Sequence, residues 1–271
     1  LKAVIYTDTI QWIILMSGLI FIGIPISYYA IGGMPAIKAS LEPEFLHLTN
    51  VSWQTIVKWV VTIIPIWFVG MTLYQRIYAS KSKKQAQKAW FIAGLFEWPA
   101  MAFMGVTLGL FSRVAFENGM FTDLGYAAGS VFDSEMGLPI LLNTVLPVGL
   151  MGLMLSAYFS AILSTADSCL MAASGNLQTD ILNKLFNFKT NSKSQLLVSQ
   201  IITITTGALA IVLASFMTNV LELMLYSYAF MVSGLFIPVV AALFTKKPNS
   251  TAAFISMIAG GLTTLLLQIN K

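Results

Sequence analysis

Long apolar stretches constrain this chain more than any other feature. A helix needs about 20 mostly apolar residues to cross a bilayer, and seven stretches are long enough. They are too long and too continuous to be strands of a membrane barrel. We therefore predict an all-α, polytopic bundle of membrane helices. The predicted spans run over residues 9–31, 54–76, 90–113, 139–165, 195–217, 220–244 and 252–269.

Composition excludes several classes of function. Of the 271 residues 57% are hydrophobic and 10% charged, whereas soluble domains carry about 25% charged residues. A soluble enzyme of this size could not bury so much apolar surface, so we expect a lipid bilayer as partner. The net charge of +4 fits basic cytoplasmic loops, and we expect no nucleic-acid partner. His47 has too few neighbouring ligands for a metal site, and the single cysteine, Cys169, excludes an intrachain disulfide.

The loops alternate between basic and acidic, which predicts an orientation. Loops at 76–88, 184–193 and 245–249 are basic, whereas those at 32–53 and 114–138 are mainly acidic. The positive-inside rule then places the basic loops, and with them the start of the chain, in the cytoplasm. Seven spans would leave Lys271 on the outside, in a multi-pass protein of the plasma (inner) membrane. The chain opens on an apolar run without Met or a signal peptide, so we interpret it as a piece of a longer protein. We predict that residues 1–271 form one transmembrane domain.

The fourth span carries a row of hydroxyl groups. Ser156, Ser160, Ser164 and Ser168 recur every four residues and therefore share one helix face. Such a row can be a small-residue seam for helix packing. It can also bind a hard cation such as Na⁺, whose water shell oxygen ligands replace, with Asp167 adding negative charge. The residues alone leave both interpretations open.

Two further spans contain features that suggest a solute site. The second span includes Pro65 and Gly70, and interrupted spans expose backbone groups to substrate in transporters, although an ordinary proline kink is the alternative. Glu97 lies well inside the third span, where a carboxylate needs a cationic partner, a proton or a ligand. We therefore predict a solute with an amino or ammonium group, to which Trp67 or Trp98 could add a cation–π contact. The alternative is that Glu97 pairs within the protein or stays protonated.

Three segments resemble the sodium:solute symporter family and occur in its order. They are the stretch from Lys2 to Gln11, the loop from Gln75 to Lys83, and the long segment from Leu146 through Ser168 to Ile181. The resemblance implies an inverted-repeat fold of five helices plus five, as in the leucine transporter, and sodium-coupled symport of a small solute by alternating access. It implies Na⁺ as coupling ion and no organic cofactor.

The same resemblance implies site residues. The main sodium site would use the Ala161 carbonyl with the Ser164 and Thr165 hydroxyls, completed by a helix that this piece lacks. A second sodium, found in some members, would use Asp8, Asp167 and Ser168 with Ser164, although Asp167 stands where some members have serine. Solute contacts would come from the region of Trp67 to Gly70, from Glu97, and from Tyr226 and Tyr228.

Three other functions compete with sodium symport. A symporter-like domain can be the sensor of a larger signalling protein. A proton, carried by Glu97 or Asp167, could replace sodium. We do not predict an intramembrane enzyme, because the serines have no histidine or lysine at membrane depth to activate them.

Overall fold

A computed structural model describes residues 2–47, 51–187, 192–216 and 219–269, and these residues form helices, turns and loops without a β-strand. Three π-helical segments, Leu19–Gly23, Glu97–Met101 and Leu177–Leu185, continue or join α-helices. The α-helices are α1 (Lys2–Gly18), α2 (Ile24–Ala30), α3 (Gly33–Ser40), α4 (Trp53–Val69), α5 (Met71–Tyr78), α6 (Lys83–Phe96), α7 (Ala102–Glu117), α8 (Gly137–Val145), α9 (Val148–Asn176), α10 (Ser192–Ser215), α11 (Val220–Phe244) and α12 (Ser250–Ile269).

Within the described ranges, six helical stretches are long and apolar enough to cross a membrane. The prediction of an all-α, multi-pass membrane protein is thereby confirmed. The predicted span 90–113 is not among the six: it consists of α6, a π-helical segment and α7, and it stays a prediction, as does the orientation. Leu1, residue 217 and Lys271 lie outside the described residues. The six stretches are Tyr6–Ala30, Trp53–Tyr78, Val148–Lys184, Ser194–Ser215, Val220–Phe244 and Ser250–Ile269.

The predicted fourth span differs most from the structure. Helix α8 ends at Val145, and Leu146 is extended with φ −93° and ψ 141°. The next residue is Pro147, whose ring disfavours the helical conformation in the residue before it. The long helix therefore starts at Val148 and not at 139, and it continues beyond 165.

The chain divides into two compact units, the first comprising Leu1–Asn50 and Ser80–Ser168. Its core lies between α7, α8 and the loop that joins them, where Val114, Phe121 and Leu141 are completely buried. Helix α9 approaches α1 at Gly18, where a methyl group would overlap the sulfur of Met154. This glycine therefore leaves room for the Met154 side chain of α9.

The second unit comprises Val51–Ala79 and Cys169–Lys271. Helix α11 packs against both α4 and α12. At its crossing with α12 the backbones nearly touch, because a methyl group on Gly260 would overlap the Ser233 carbonyl oxygen. The Thr264 hydroxyl donates to the Ser233 hydroxyl at 2.7 Å, so a polar bond reinforces the crossing. Whether residues 1–271 form the single transmembrane domain we predict stays a prediction.

Candidate ion and solute site

Two of the three predicted sodium ligands meet on α9. The Thr165 hydroxyl donates to the Ala161 carbonyl oxygen, and the two oxygens lie 3.3 Å apart. Two oxygens at this separation can both contact one cation at about 2.3–2.6 Å, the range of Ca²⁺–oxygen bonds, and Na⁺ is of similar size. The turn from 161 to 165 thus presents a carbonyl and a hydroxyl oxygen side by side.

The third predicted ligand, Ser164, lies on the same turn and is partly buried. Its hydroxyl makes no hydrogen bond with another described residue, whereas its carbonyl accepts the Ser168 hydroxyl at 3.1 Å. A neutral oxygen that the helix leaves unoccupied suits a monovalent cation. The assignment of Na⁺ to these three residues stays a prediction.

The acids of the predicted second sodium site differ in exposure. Asp8 is partly buried in α1, and Asp167 is exposed on α9. Both belong to the first unit, together with Ser164 and Ser168. The second ion site stays a prediction.

The predicted interruption of the second span is a break at Gly70. Helix α4 ends at Val69, Gly70 is buried and extended with φ −65° and ψ 110°, and α5 begins at Met71. Pro65 lies inside the continuous part of α4 and does not end it. The Trp67 side chain, next to the break, is 40% exposed. The helix is therefore interrupted within the segment that we predicted to contact solute.

The break also involves a residue that sequence reasoning missed. Tyr74 lies on α5, and its hydroxyl donates to the Phe68 carbonyl oxygen at 2.7 Å. The Phe68 ring in turn contacts Phe236 of α11 edge-to-face, with centroids 6.1 Å apart. A polar aromatic residue one turn after a helix-breaking glycine is the signal that could have identified Tyr74.

Glu97 opens a π-helical segment. The segment Glu97–Met101 contains Pro99, which has no backbone N–H to donate to the carbonyl four residues earlier. The hydrogen bonds shift accordingly, and Ala102 donates to the carbonyl of Glu97, five residues back. Such π-bulges are frequent at functional sites. The Glu97 side chain is exposed, and the preceding Phe96 contacts Trp12 of α1 edge-to-face, with centroids 5.7 Å apart.

The two tyrosines predicted to contact solute lie near the start of α11. The Tyr226 hydroxyl donates to the carboxylate of Glu222, whose own backbone N–H is capped by the Asn219 side chain at 2.8 Å. Tyr228 is partly buried. Glu222 therefore lies in the first turn of α11, where its carboxylate orients the Tyr226 hydroxyl. Trp67, Gly70, Tyr226 and Tyr228 share the second unit, while Glu97 belongs to the first.

No group of three or more His, Cys, Asp or Glu side chains that could hold a metal ion occurs in the part of the chain that the structure describes. The predicted sodium ligands on α9 are carbonyl and hydroxyl oxygens, whereas transition-metal and calcium sites rely on imidazole, thiolate or several carboxylates.

A membrane-capable helix that is interrupted at a glycine is a feature found in transporters. Residues 1–260 match the sodium:solute symporter family. The chain belongs to this family, which confirms the resemblance seen in the sequence.

Individual relatives are similar over nearly the whole chain. The human sodium/myo-inositol cotransporter is 26% identical and the human high affinity choline transporter 1 is 27% identical, over 96% and 100% of this chain. The high-affinity proline transporter PutP of Bacillus subtilis is 26% identical over 97% of it. These matches cover 42%, 46% and 54% of the relatives, so the chain spans about half their length. The family and the relatives are transporters and not enzymes.

Proposed function

We propose that the full-length protein couples the inward movement of Na⁺ to the uptake of a small organic solute by alternating access in the plasma membrane. The observation that carries this proposal is the family match over residues 1–260. The relatives support it, since two are named for sodium cotransport or choline transport and a third for proline transport.

The ion is assigned to the turn of α9 that contains Ala161, Ser164 and Thr165. Support comes from the 3.3 Å separation of the Ala161 carbonyl and Thr165 hydroxyl oxygens. Further ligands would have to come from another part of the full-length protein. A membrane potential contributes about 2.3 kcal/mol per charge per 100 mV, so one Na⁺ could support accumulation of a neutral solute by roughly fiftyfold.

The solute is proposed to bear an amino or quaternary ammonium group. Glu97, a carboxylate on the predicted third span, favours such a group, because an unpaired charge in hydrocarbon is costly. Two of the relatives are named for solutes of this chemistry, choline and proline, whereas myo-inositol is an uncharged polyol. Trp67, Gly70, Tyr226 and Tyr228 are the proposed contacts from the second unit.

The proposal is tested by uptake into liposomes that contain the full-length protein. Radiolabelled choline, proline and myo-inositol are offered with an inward Na⁺ gradient, and then with a K⁺ gradient or a proton gradient in its place. We expect uptake of at least one amine-bearing compound with Na⁺ alone. Uptake that follows the proton gradient would assign proton coupling, and absence of all uptake would favour the sensor interpretation.

The ion site is tested by removing its hydroxyl groups. Ser164→Ala and Thr165→Ala should each raise the Na⁺ concentration for half-maximal uptake about tenfold, since each removes one ligand of few. Ser156→Ala is the matched control, because Ser156 lies on the same face of α9 about 12 Å further along the helix. If Ser164→Ala and Thr165→Ala need no more Na⁺ for half-maximal uptake than Ser156→Ala does, the ion binds elsewhere.

A further inference from the structure

The break at Gly70 changes which backbone groups of the second unit are paired. In a continuous helix the Phe68 carbonyl would accept from the N–H four residues later, that of Thr72. Helix α5 instead starts anew, and the Leu73 N–H donates to the Gly70 carbonyl, three residues back, at 3.1 Å, while the Tyr74 N–H makes the ordinary four-residue bond to the same carbonyl at 3.4 Å. A carbonyl opened in this way needs another donor, because there is no water in the bilayer core to supply one.

Tyr74 supplies that donor from the other side of the break. Its hydroxyl lies 2.7 Å from the Phe68 carbonyl oxygen, and its side chain is partly buried. The bond joins α5 to the last turn of α4 across the extended Gly70. A side-chain hydrogen bond therefore links the two half-helices where the backbone bond to the Phe68 carbonyl is missing.

Phe68 is also held from α11. Its ring meets that of Phe236 edge-to-face at 6.1 Å, an arrangement that aromatic rings prefer. Phe68, which follows the exposed Trp67, is thus held at its carbonyl by α5 and at its ring by α11. Trp67, a proposed solute contact, directly precedes this anchored residue.

We infer that Tyr74 is a positioning residue for solute binding: its hydroxyl holds the Gly70 break open in the geometry that presents Trp67 to the solute. The inference rests on the proposed transport function. It assigns Tyr74 no contact with solute or ion. Loss of the hydroxyl frees the Phe68 carbonyl and lets the two half-helices change direction, which weakens solute binding while the oxygens of α9 stay intact.

The test compares two tyrosines on one helix. Tyr74→Phe removes only the hydroxyl that bonds Phe68, and Tyr78→Phe makes the same change one turn further on, where the side chain is 78% exposed and its ring lies 6.2 Å from that of Tyr74. Both variants are made in the full-length protein. Uptake is measured with whichever of choline, proline and myo-inositol the unmodified protein transports, together with hydrogen exchange of the segment 66–74.

In Tyr74→Phe we expect the solute KM to rise about tenfold, equivalent to about 1.4 kcal/mol, with an unchanged Na⁺ requirement. Hydrogen exchange in segment 66–74 should become faster, and Tyr78→Phe should change neither quantity. An unchanged KM and unchanged exchange in Tyr74→Phe would overturn the inference. So would failure of this variant alone to reach the membrane, since the hydroxyl would then serve folding. Failure of the unmodified protein to transport any compound would instead count against the proposed function.

Discussion

Two proline-containing helical segments depart from regular α-helix in different ways. Around Pro65 the helix continues, and the break comes at Gly70, where one extended residue separates α4 from α5. Around Pro99 the chain stays helical and shifts to hydrogen bonds five residues back. The comparison teaches that a missing N–H alone loosens a membrane helix, whereas a true break also needs a residue with low helix propensity and a new donor for the opened carbonyl.

The largest effect should come from filling the break. A Cβ at Gly70 would lie 3.1 Å from the Ile66 carbonyl oxygen and 3.3 Å from Leu73 Cδ1, so valine there would be overpacked. We expect Gly70→Val to reduce solute uptake about thirtyfold by forcing the half-helices apart. Initial uptake rates per amount of protein in the membrane measure this effect.

The control for this change lies in the other interrupted segment. Gly94 of α6 has open space around the position of an added Cβ. Gly94→Val should therefore cost far less uptake than Gly70→Val. Comparable losses in the two variants would mean that the break is no more sensitive than any helical glycine.

A smaller effect should follow from neutralising the acid in the π-helical segment. Glu97→Gln keeps the shape of the side chain and removes its charge, so we expect affinity for choline to fall about tenfold while that for myo-inositol changes little. Competition by both compounds against uptake of one labelled solute measures the difference. Glu44→Gln, an exposed acid in a loop, is the control. Equal losses for the two compounds would exclude a direct charge interaction.

The smallest effects should come from the prolines themselves. Pro65→Ala restores an N–H inside a helix that is already continuous, so solute KM should stay within about twofold. Pro99→Ala restores a backbone N–H in the π-helical segment, so the hydrogen bonds can return to the four-residue α-helical pattern. Glu97 would then rotate away from its position, and the solute KM should rise about threefold. A larger rise in KM for Pro65→Ala than for Pro99→Ala would contradict the view that Pro65 leaves its helix intact and Pro99 does not.

The sequence predicts most of the fold because the bilayer restricts the choice. Apolar runs of sufficient length must become helices, and six of the predicted spans correspond to helices long and apolar enough to cross. The start of α9 was not predicted, although Pro147 could have signalled it through the extended Leu146. The π-helical segments were missed since a shift of hydrogen bonds by one residue has no distinct pattern of residue types.

The site was predictable to a lesser degree. The pairing of Ala161 with Thr165 follows from their spacing on one helix, because residues four apart lie together. The choice between Pro65 and Gly70 as the point of interruption could not be made from sequence, because both residues weaken a helix. The hydrogen bond of Tyr74 to Phe68, six residues earlier, shows which of the two interrupts the helix. The grouping of Glu97 with Trp67, Gly70, Tyr226 and Tyr228 at one solute site stays a prediction.

The glycine-mediated crossing of α11 and α12 has a practical consequence. With backbone against backbone at Gly260 and Ser233, and a hydroxyl pair beside them, sliding or tilting of one helix would strain its contact with the other. A spectroscopic probe attached to the exposed side of α12 should therefore follow the motion of α11 during the proposed transport cycle. It would report on the helix of Tyr226 and Tyr228 from a distance, without disturbing either tyrosine.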